Sequence, residues 1–194
     1  MRILIAAFLS VLMLTAAAPA REGQSPASLA RAIEEAEALI AEGIDEARMR
    51  LEPEAPKLVR NGELDRIARL RSEAIAKGAD PFAHEDSKGR QAATDMMRER
   101  ISPYGAFGEN IMYEFHSRAP FNPKSFAKSA VEGWLKSPGH RANILSPYFD
   151  RSGIGVALNG TTAYATQVFM GPPRTAPRPA PAQRPGPWQP GQLQ

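Results

Sequence analysis

The stretch that decides the fold is AVEGWLKSPGHRANIL, residues 130–145. Apolar side chains recur through it, and just before it, at steps of three and four residues, which predicts an amphipathic helix with a wide stripe to bury. The stripe consists of Phe126, Ala127, Ala130, Val131, Trp134 and Leu135. Pro138 and Gly139 predict the end of this helix, and residues 141–145 could add one further turn. His140 is therefore expected in a loop, where working side chains are often displayed.

A hairpin is predicted directly downstream of this helix. Ile154, Val156 and Leu158 occupy alternate positions, as in a strand with one buried face. Asn159-Gly160 is the favoured pair for a tight type I′ turn, and residues 163–169 would form the return strand.

Helical patterns fill most of the chain upstream. Helices are predicted from Ser25, from near residue 61 and across residues 90–100, and a short strand enters at Glu109 or Asn110. Because helices come first and antiparallel strands come late, we predict an α+β fold in which helices cover a small sheet.

The first 20 residues, MRILIAAFLSVLMLTAAAPA, have the pattern of a secretory signal peptide. We predict cleavage after Ala20 and a secreted or periplasmic protein. The apolar run, residues 3–14, is shorter than the ~20 residues of a membrane span, and an uncleaved anchor is the alternative. The chain has no cysteine, so its stability must come from the core even though export permits disulfides.

The last stretch, residues 172–194, holds eight of the 18 prolines, three arginines and no acidic residue. This composition predicts an extended, disordered tail. The alternatives are a basic strap to an anionic envelope surface and a ligand for a proline-binding module. Residues 21–171 keep 20 basic against 21 acidic side chains, so the basic pI indicates no nucleic-acid partner.

Three histidines, His84, His116 and His140, are the candidates for chemistry. His84 and His140 fall in predicted loops, and Glu109 lies at a loop-to-strand boundary. Two imidazoles and a carboxylate suit a divalent metal, and they equally suit an acid–base pair near neutral pH. Surface side chains with local hydrogen bonds are the third possibility. His116 has no partner pattern, and thiol catalysis is excluded because there is no cysteine.

Several motifs together resemble bacterial CAP or SCP domains. They are FAHEDSKGR, GENI, the 130–145 stretch, and GIGVA followed by YATQVF. The superfamily comprises cysteine-rich secretory proteins, antigen 5 and pathogenesis-related proteins. The resemblance, strongest over residues 64–170, implies a three-layer α-β-α sandwich with a small, mainly antiparallel sheet. It also implies a cleft in which His84, Glu109 and His140 hold Zn²⁺ or another divalent cation.

The chain departs from the family pattern at the second acid of the cleft. Ser137 stands at that position, and the helical register turns Glu132 elsewhere, so Glu85 is the possible substitute. The division expected from the resemblance is a signal peptide at 1–20, a helical extension at 21–60, the CAP domain at 61–171 and the tail at 172–194.

The function expected from the resemblance is an exported, non-enzymatic binding protein. Its ligand would be a metal ion, a small lipid or an envelope component, and no nucleic acid. The alternative is a metal-assisted hydrolase, protease-like or esterase-like, in which an imidazole or Glu109 acts as general base on a metal-bound water. A purely structural hydrogen-bond network around the same residues is the third interpretation.

Overall fold

A four-stranded sheet carries the helices of this protein on both of its faces. The computed structural model describes residues 25–101, 105–116 and 120–173. The predicted signal peptide and nearly all of the predicted tail therefore lie outside the described residues. The elements in chain order are α1 Pro26–Leu51, β1 Val59–Arg60, α2 Gly62–Ala76, α3 Ala92–Arg100, β2 Phe107–Phe115, α4 Pro123–Lys136, α5 Pro138–Leu145, β3 Arg151–Asn159 and β4 Thr162–Met170.

The sheet has the strand order β1-β3-β4-β2, which leaves β2 at one edge. The short β1 runs parallel to β3, and the other neighbours are antiparallel. α1, α4 and α5 form one helical layer, and α2 and α3 form the other. This arrangement confirms the predicted α+β, three-layer α-β-α sandwich. None of the described helices is long and apolar enough to cross a membrane.

The layer of α1 and α4 holds the larger core. Four residues of the predicted stripe, Phe126, Ala127, Ala130 and Trp134, are buried in it, and Val131 and Leu135 pack partly buried against it. Trp134 is 1% exposed, and its indole Nε1–H donates to the Ile111 carbonyl at 3.2 Å, so the tryptophan joins α4 to β2. From α1, Ile40 and Ile44 enter the same core. α1 therefore packs as part of the helical layer that covers this core. The predicted domain boundary at residue 60 stays a prediction.

On the opposite face, α2 lies against β3 at two glycines. A Cβ on Gly153 would lie 2.1 Å from the Leu64 carbonyl carbon, and one on Gly155 would lie 2.0 Å from the Arg69 nitrogen. No side chain fits in that space. The GIGVA motif is thus explained by the close approach of a helix backbone to a strand.

The predicted helix starts are confirmed by their caps. Ser25 Oγ accepts from the Ser28 amide, and Asn61 Oδ1 accepts from the amides of Glu63 and Leu64, which satisfies donors that the first helical turn leaves free.

The prediction that His140 lies in a loop is wrong. Pro138 begins a second helix, α5, immediately after α4, and His140 lies in its first turn. Proline suits the start of a helix because its missing N–H would have no intrahelical acceptor there, and its φ angle already fits. The Arg141 amide donates to the Ser137 carbonyl at 2.8 Å, which closes this turn.

The hairpin turn also lies one residue later than predicted. Asn159 pairs with Thr162, so the two turn residues are Gly160 and Thr161. Gly160 has a φ of 58°, and no described residue other than glycine has a positive φ. A single positive φ at the first turn position is typical of type II′, not of type I′. Asn159 instead donates through Nδ2 to the Ala76 carbonyl at 2.7 Å, at the end of α2.

Candidate functional site

Glu109 is the centre of the site, and strand β2 places it on the face covered by α2. Its side chain is 5% exposed. Oε1 accepts from Arg71 Nε at 3.3 Å, and Oε2 lies 2.8 Å from His84 Nδ1. Each carboxylate oxygen of Glu109 therefore has a hydrogen-bond partner, Arg71 for Oε1 and His84 for Oε2. β2 itself begins at Phe107, two or three residues before the predicted start at Glu109 or Asn110, because Phe107 and Gly108 pair with β4.

Arg71 holds the site together, and the sequence analysis missed it. Its guanidinium, fully buried, donates to Asp80 Oδ2 at 2.8 Å, to Glu109, and to the carbonyls of Ala83 and Glu85. A buried charge is tolerated only when it is paired and its donors are satisfied. Arg71 thereby fastens the segment that carries His84 to the sheet.

A signal for Arg71 was present in the sequence. It occupies a position in the apolar stripe of α2, at helical spacing from its neighbours. That stripe consists of Leu64, Ile67, Ala68 and Ile75. A charged residue in such a stripe requires a buried partner, although the pattern does not say which acid supplies it.

His84 presents one imidazole edge to Glu109 and the rest to the surface. Its side chain is 47% exposed. An ionised carboxylate only accepts hydrogen bonds, so Nδ1–H donates to it and Nε2 of the neutral ring keeps a free lone pair. The hydrogen bond to Glu109 raises the pKa of His84 above its ordinary value of 6.5, although partial burial opposes this rise.

The turn that follows His84 is built around Asp86. Its Oδ1 accepts from the amides of Lys88 and Arg90, at 2.8 and 2.9 Å. The amide of Arg90 is the main reason that the pKa of Asp86 falls to about 2. Gly89 has a φ of 72°, which glycine adopts without strain. The DSKGR sequence thus forms a self-supporting loop beside the site.

His140 approaches the site from the opposite layer, carried by α5. Asn110 Nδ2 donates to the His140 carbonyl at 3.2 Å. Asn143 Nδ2 donates to the Glu109 carbonyl at 3.1 Å and to Asn110 Oδ1 at 2.9 Å. Burial and the nearby charge of His84 lower the pKa of His140 below 6.5. α5 is therefore fixed to β2 at Glu109 and Asn110.

The structure joins two of the three predicted site residues by direct contact. His84 and Glu109 form a hydrogen-bonded pair. His140 does not share this bond. Burial and the charge of His84 lower the pKa of His140, and the His140 carbonyl accepts from Asn110 on β2. Within the described ranges, no group of three or more His, Asp or Glu side chains is placed to hold a metal ion. A metal ligand role for His84, Glu109 and His140 stays a prediction.

The contacts of Glu109 limit the role that it could have beside a cation. Because both Glu109 oxygens already have partners, Glu109 is suited to orient His84 rather than to bind a cation directly. Carboxylates behind ligating histidines commonly have this role, and they fix which ring nitrogen faces the metal. The imidazoles of His84 and His140 are the groups that would hold the ion.

The candidates for a second acid, Glu132 and Glu85, have other side-chain partners. Glu132 is half exposed and pairs with Lys128 and Lys136 on the outer side of α4, as its register predicts. Ser137 joins α4 to α5. Glu85 accepts from Gln91 Nε2 at 2.9 Å through its carboxylate.

His116 lies apart from the site, at the far end of β2. Its backbone amide donates to the Thr161 carbonyl, and its ring packs 5.6 Å from the Phe121 ring and 5.7 Å from the Phe126 ring, measured between centroids. It therefore belongs to the aromatic end of the larger core.

The fold and the site together define a class: an α-β-α sandwich in which a buried glutamate on the edge strand holds a histidine. Residues 46–169, more than half of the chain, match the model of the cysteine-rich secretory protein family, CAP. The chain belongs to this family, which confirms the resemblance found in the motifs.

Relatives in bacteria agree with this assignment. The chain is 32% identical over 108 residues to the Bacillus subtilis protein YkwD, an alignment that covers 56% of this chain and 37% of YkwD. The chain thus spans little more than a third of the length of that relative.

Solved structures show the same fold at low sequence identity. An extracellular SCP-domain protein of Bacillus anthracis is similar with a TM-score of 0.60 and 23% identity, covering 76% of this chain and 44% of that one. An outer surface protein of Borrelia burgdorferi has a TM-score of 0.58 and 16% identity, covering 72% and 93%. A cysteine-rich secretory protein of Staphylococcus aureus has a TM-score of 0.51 and 20% identity, covering 71% and 39%.

Proposed function

We propose that this protein is an exported binding protein in which the imidazoles of His84 and His140 hold a divalent cation such as Zn²⁺. The observation that carries the proposal is the 2.8 Å bond between His84 Nδ1 and the buried Glu109. The pattern of residues 1–20 supports export, as do two proteins of similar fold, an extracellular protein of Bacillus anthracis and a cysteine-rich secretory protein of Staphylococcus aureus.

The tautomer of His84 and the lowered pKa of His140 support cation binding. Glu109 keeps the proton of His84 on Nδ1, so Nε2 is the nitrogen with a free lone pair. The lowered pKa of His140 keeps that ring neutral near pH 7, and only a neutral imidazole is a ligand. Nitrogen ligands of this kind suit zinc. Two protein ligands leave coordination positions for water or for a small ligand.

Zinc titration of the full chain tests this proposal. We expect calorimetric binding of Zn²⁺ and a rise in melting temperature, because a ligand that binds only the folded state stabilises it. His84→Ala combined with His140→Ala should abolish both effects. His116→Ala is the matched control, since it removes the third histidine outside the site, and it should leave the binding isotherm unchanged. Equal zinc binding by the double variant and the wild type would refute the proposal.

The hydrolase alternative rests on the same pair of residues. A carboxylate-held imidazole also suits a general base. In the described part of the chain, no serine or threonine hydroxyl contacts His84, whose side-chain hydrogen bond goes to Glu109. If this alternative holds, purified protein should cleave an ester or a peptide in the presence of zinc, and Glu109→Gln should abolish the cleavage. Activity that survives the substitution would come from elsewhere.

A further inference from the structure

Four aromatic side chains form an exposed patch beside the site, here called the aromatic patch. Phe82 is 46% exposed, Tyr113 is 56% exposed and Phe115 is 66% exposed, and Tyr164 completes the group. The rings of Phe82 and Tyr113 meet edge to face at 4.8 Å, and those of Tyr113 and Tyr164 lie 6.1 Å apart. Tyr113 and Phe115 are two residues apart on β2, so they point to the same face.

The patch differs from the other exposed apolar side chains of the described residues. Met49 and Val59 are each 63% exposed, but they lie on separate elements, α1 and β1. Single exposed apolar residues need no explanation, whereas contiguous exposed aromatic surface commonly marks a binding site. The patch is also close to the candidate site along the chain, because Phe82 is two residues from His84.

Residues 172–194 of this same chain have the composition that an aromatic surface recognises. They carry eight prolines and three arginines, without an acidic residue. Proline-rich segments dock on grooves lined by aromatic side chains, and arginine binds the faces of tyrosine and phenylalanine rings. We propose that the proline-rich segment at residues 172–194 binds the aromatic patch of its own chain.

The geometry of the strands allows this intramolecular contact. The described chain leaves β4 at Gly171, whose amide donates to the Ala106 carbonyl just before β2. Phe107 and Tyr113 are six residues apart on β2, a distance of ~20 Å along an antiparallel strand. About seven residues of polyproline-like chain, at ~3.1 Å each, cover that distance. The segment is more than long enough to reach the patch.

The same path passes the candidate site. Glu109 lies between Phe107 and Tyr113 on one face of β2, because alternate residues of a strand share a face. A segment that runs from Gly171 to the aromatic patch therefore crosses the side of the sheet on which Glu109 and His84 lie.

Paramagnetic relaxation in the full chain tests the proposal. The chain has no cysteine, so Ala180→Cys gives one attachment point for a nitroxide label. We expect the label to remove the amide NMR signals of Phe82, Tyr113 and Phe115. Phe82→Ala combined with Tyr113→Ala should restore the signal of Phe115. Val59→Ala, which also removes an exposed apolar side chain, is the matched control and should leave the broadening unchanged.

Mixing isotopes identifies the source of any contact. Chain that carries the nitroxide but no ¹⁵N is mixed with ¹⁵N-enriched chain that carries no nitroxide. Only contacts between molecules can then broaden the observed signals. The proposal predicts no broadening in the mixture. Broadening in the mixture would show docking on a second copy and would overturn the proposed intramolecular docking. Unchanged signals at Phe82, Tyr113 and Phe115 in the singly labelled chain would overturn it as well.

Discussion

The guanidinium of Arg71 on α2 lies 3.3 Å from the carboxylate of Glu109 on β2, and both side chains are buried. This pair connects the fold to the candidate site, because the same guanidinium also binds the segment that carries His84. Its removal would leave Glu109 buried with its charge less compensated.

Arg71→Ala should therefore lower the free energy of unfolding by ~3–5 kcal/mol, the range for breaking a buried ion pair from one side. Urea denaturation measures this loss. Arg66→Ala on the same helix is the control: Arg66 is 59% exposed and lies 3.7 Å from Glu63. It should change stability by no more than about 0.5 kcal/mol. Equal losses in the two variants would contradict the role given to Arg71.

The two site histidines should titrate on opposite sides of pH 6.5. The hydrogen bond to Glu109 raises the pKa of His84, whereas burial lowers that of His140. NMR titration of the ring protons measures both values. Glu109→Gln removes the main cause of the rise, so the pKa of His84 should fall in this variant. A His84 that titrates at its wild-type pKa in Glu109→Gln would contradict the assignment.

The same shifts set the direction of the pH dependence of stability. His84 binds its proton more tightly in the folded state, so its contribution is complete below pH 6.5 and is lost as the pH rises through its folded pKa. His140 has the opposite sign: stability falls as the pH drops from 6.5 through its lowered folded pKa. Replacing His84 by Ala should flatten the alkaline side of the stability curve and keep most of the acid side, because burial is the larger cause of the lowered pKa of His140.

Gly155→Ala should destabilise the fold by forcing α2 away from β3. The new Cβ would lie 2.0 Å from the Arg69 backbone nitrogen, which cannot rotate away. Overpacking of this kind costs about 3 kcal/mol. Gly133→Ala is the matched control, because a Cβ on Gly133 in α4 meets nothing within 4 Å. It should raise stability by roughly 0.5–1 kcal/mol through helix propensity. If Gly155→Ala is tolerated equally well, the close approach is wrong.

Asn143→Ala should loosen α5 from the edge strand. It removes the donor that binds the Glu109 carbonyl and Asn110 Oδ1, so we expect a loss of about 1–3 kcal/mol. Thermal unfolding compared with Arg141→Ala, an exposed neighbour on α5, measures the effect. Arg141→Ala should change the stability very little. If Asn143→Ala unfolds at the same temperature as the wild type, other contacts hold α5 in place.

The fold was predictable where the pattern is local. The stripe around Trp134 and the caps at Ser25 and Asn61 depend on residues a few positions apart, and the structure confirms them. The errors arose where two signals compete. Pro138 both ends α4 and begins α5, and the register of the hairpin turn depends on the pairing of whole strands.

The candidate site was predictable in its residues but not in their contacts. His84 and Glu109 were singled out from the motifs, and they do meet. Arg71 was missed because its partners lie nine to 38 residues away, and no local pattern specifies such a contact. The exposed aromatic patch was missed for the same reason, since Phe82 and Tyr113 come together only in the folded chain.

A long-range ¹H–¹⁵N NMR spectrum of the histidine rings, recorded before and after Zn²⁺ is added, tests the central claim most directly. The account predicts that His84 carries its proton on Nδ1, and that zinc shifts its Nε2 and one ring nitrogen of His140 while His116 stays unchanged. A proton on Nε2 of His84, or zinc-induced shifts confined to His116 or absent from all three rings, would contradict it.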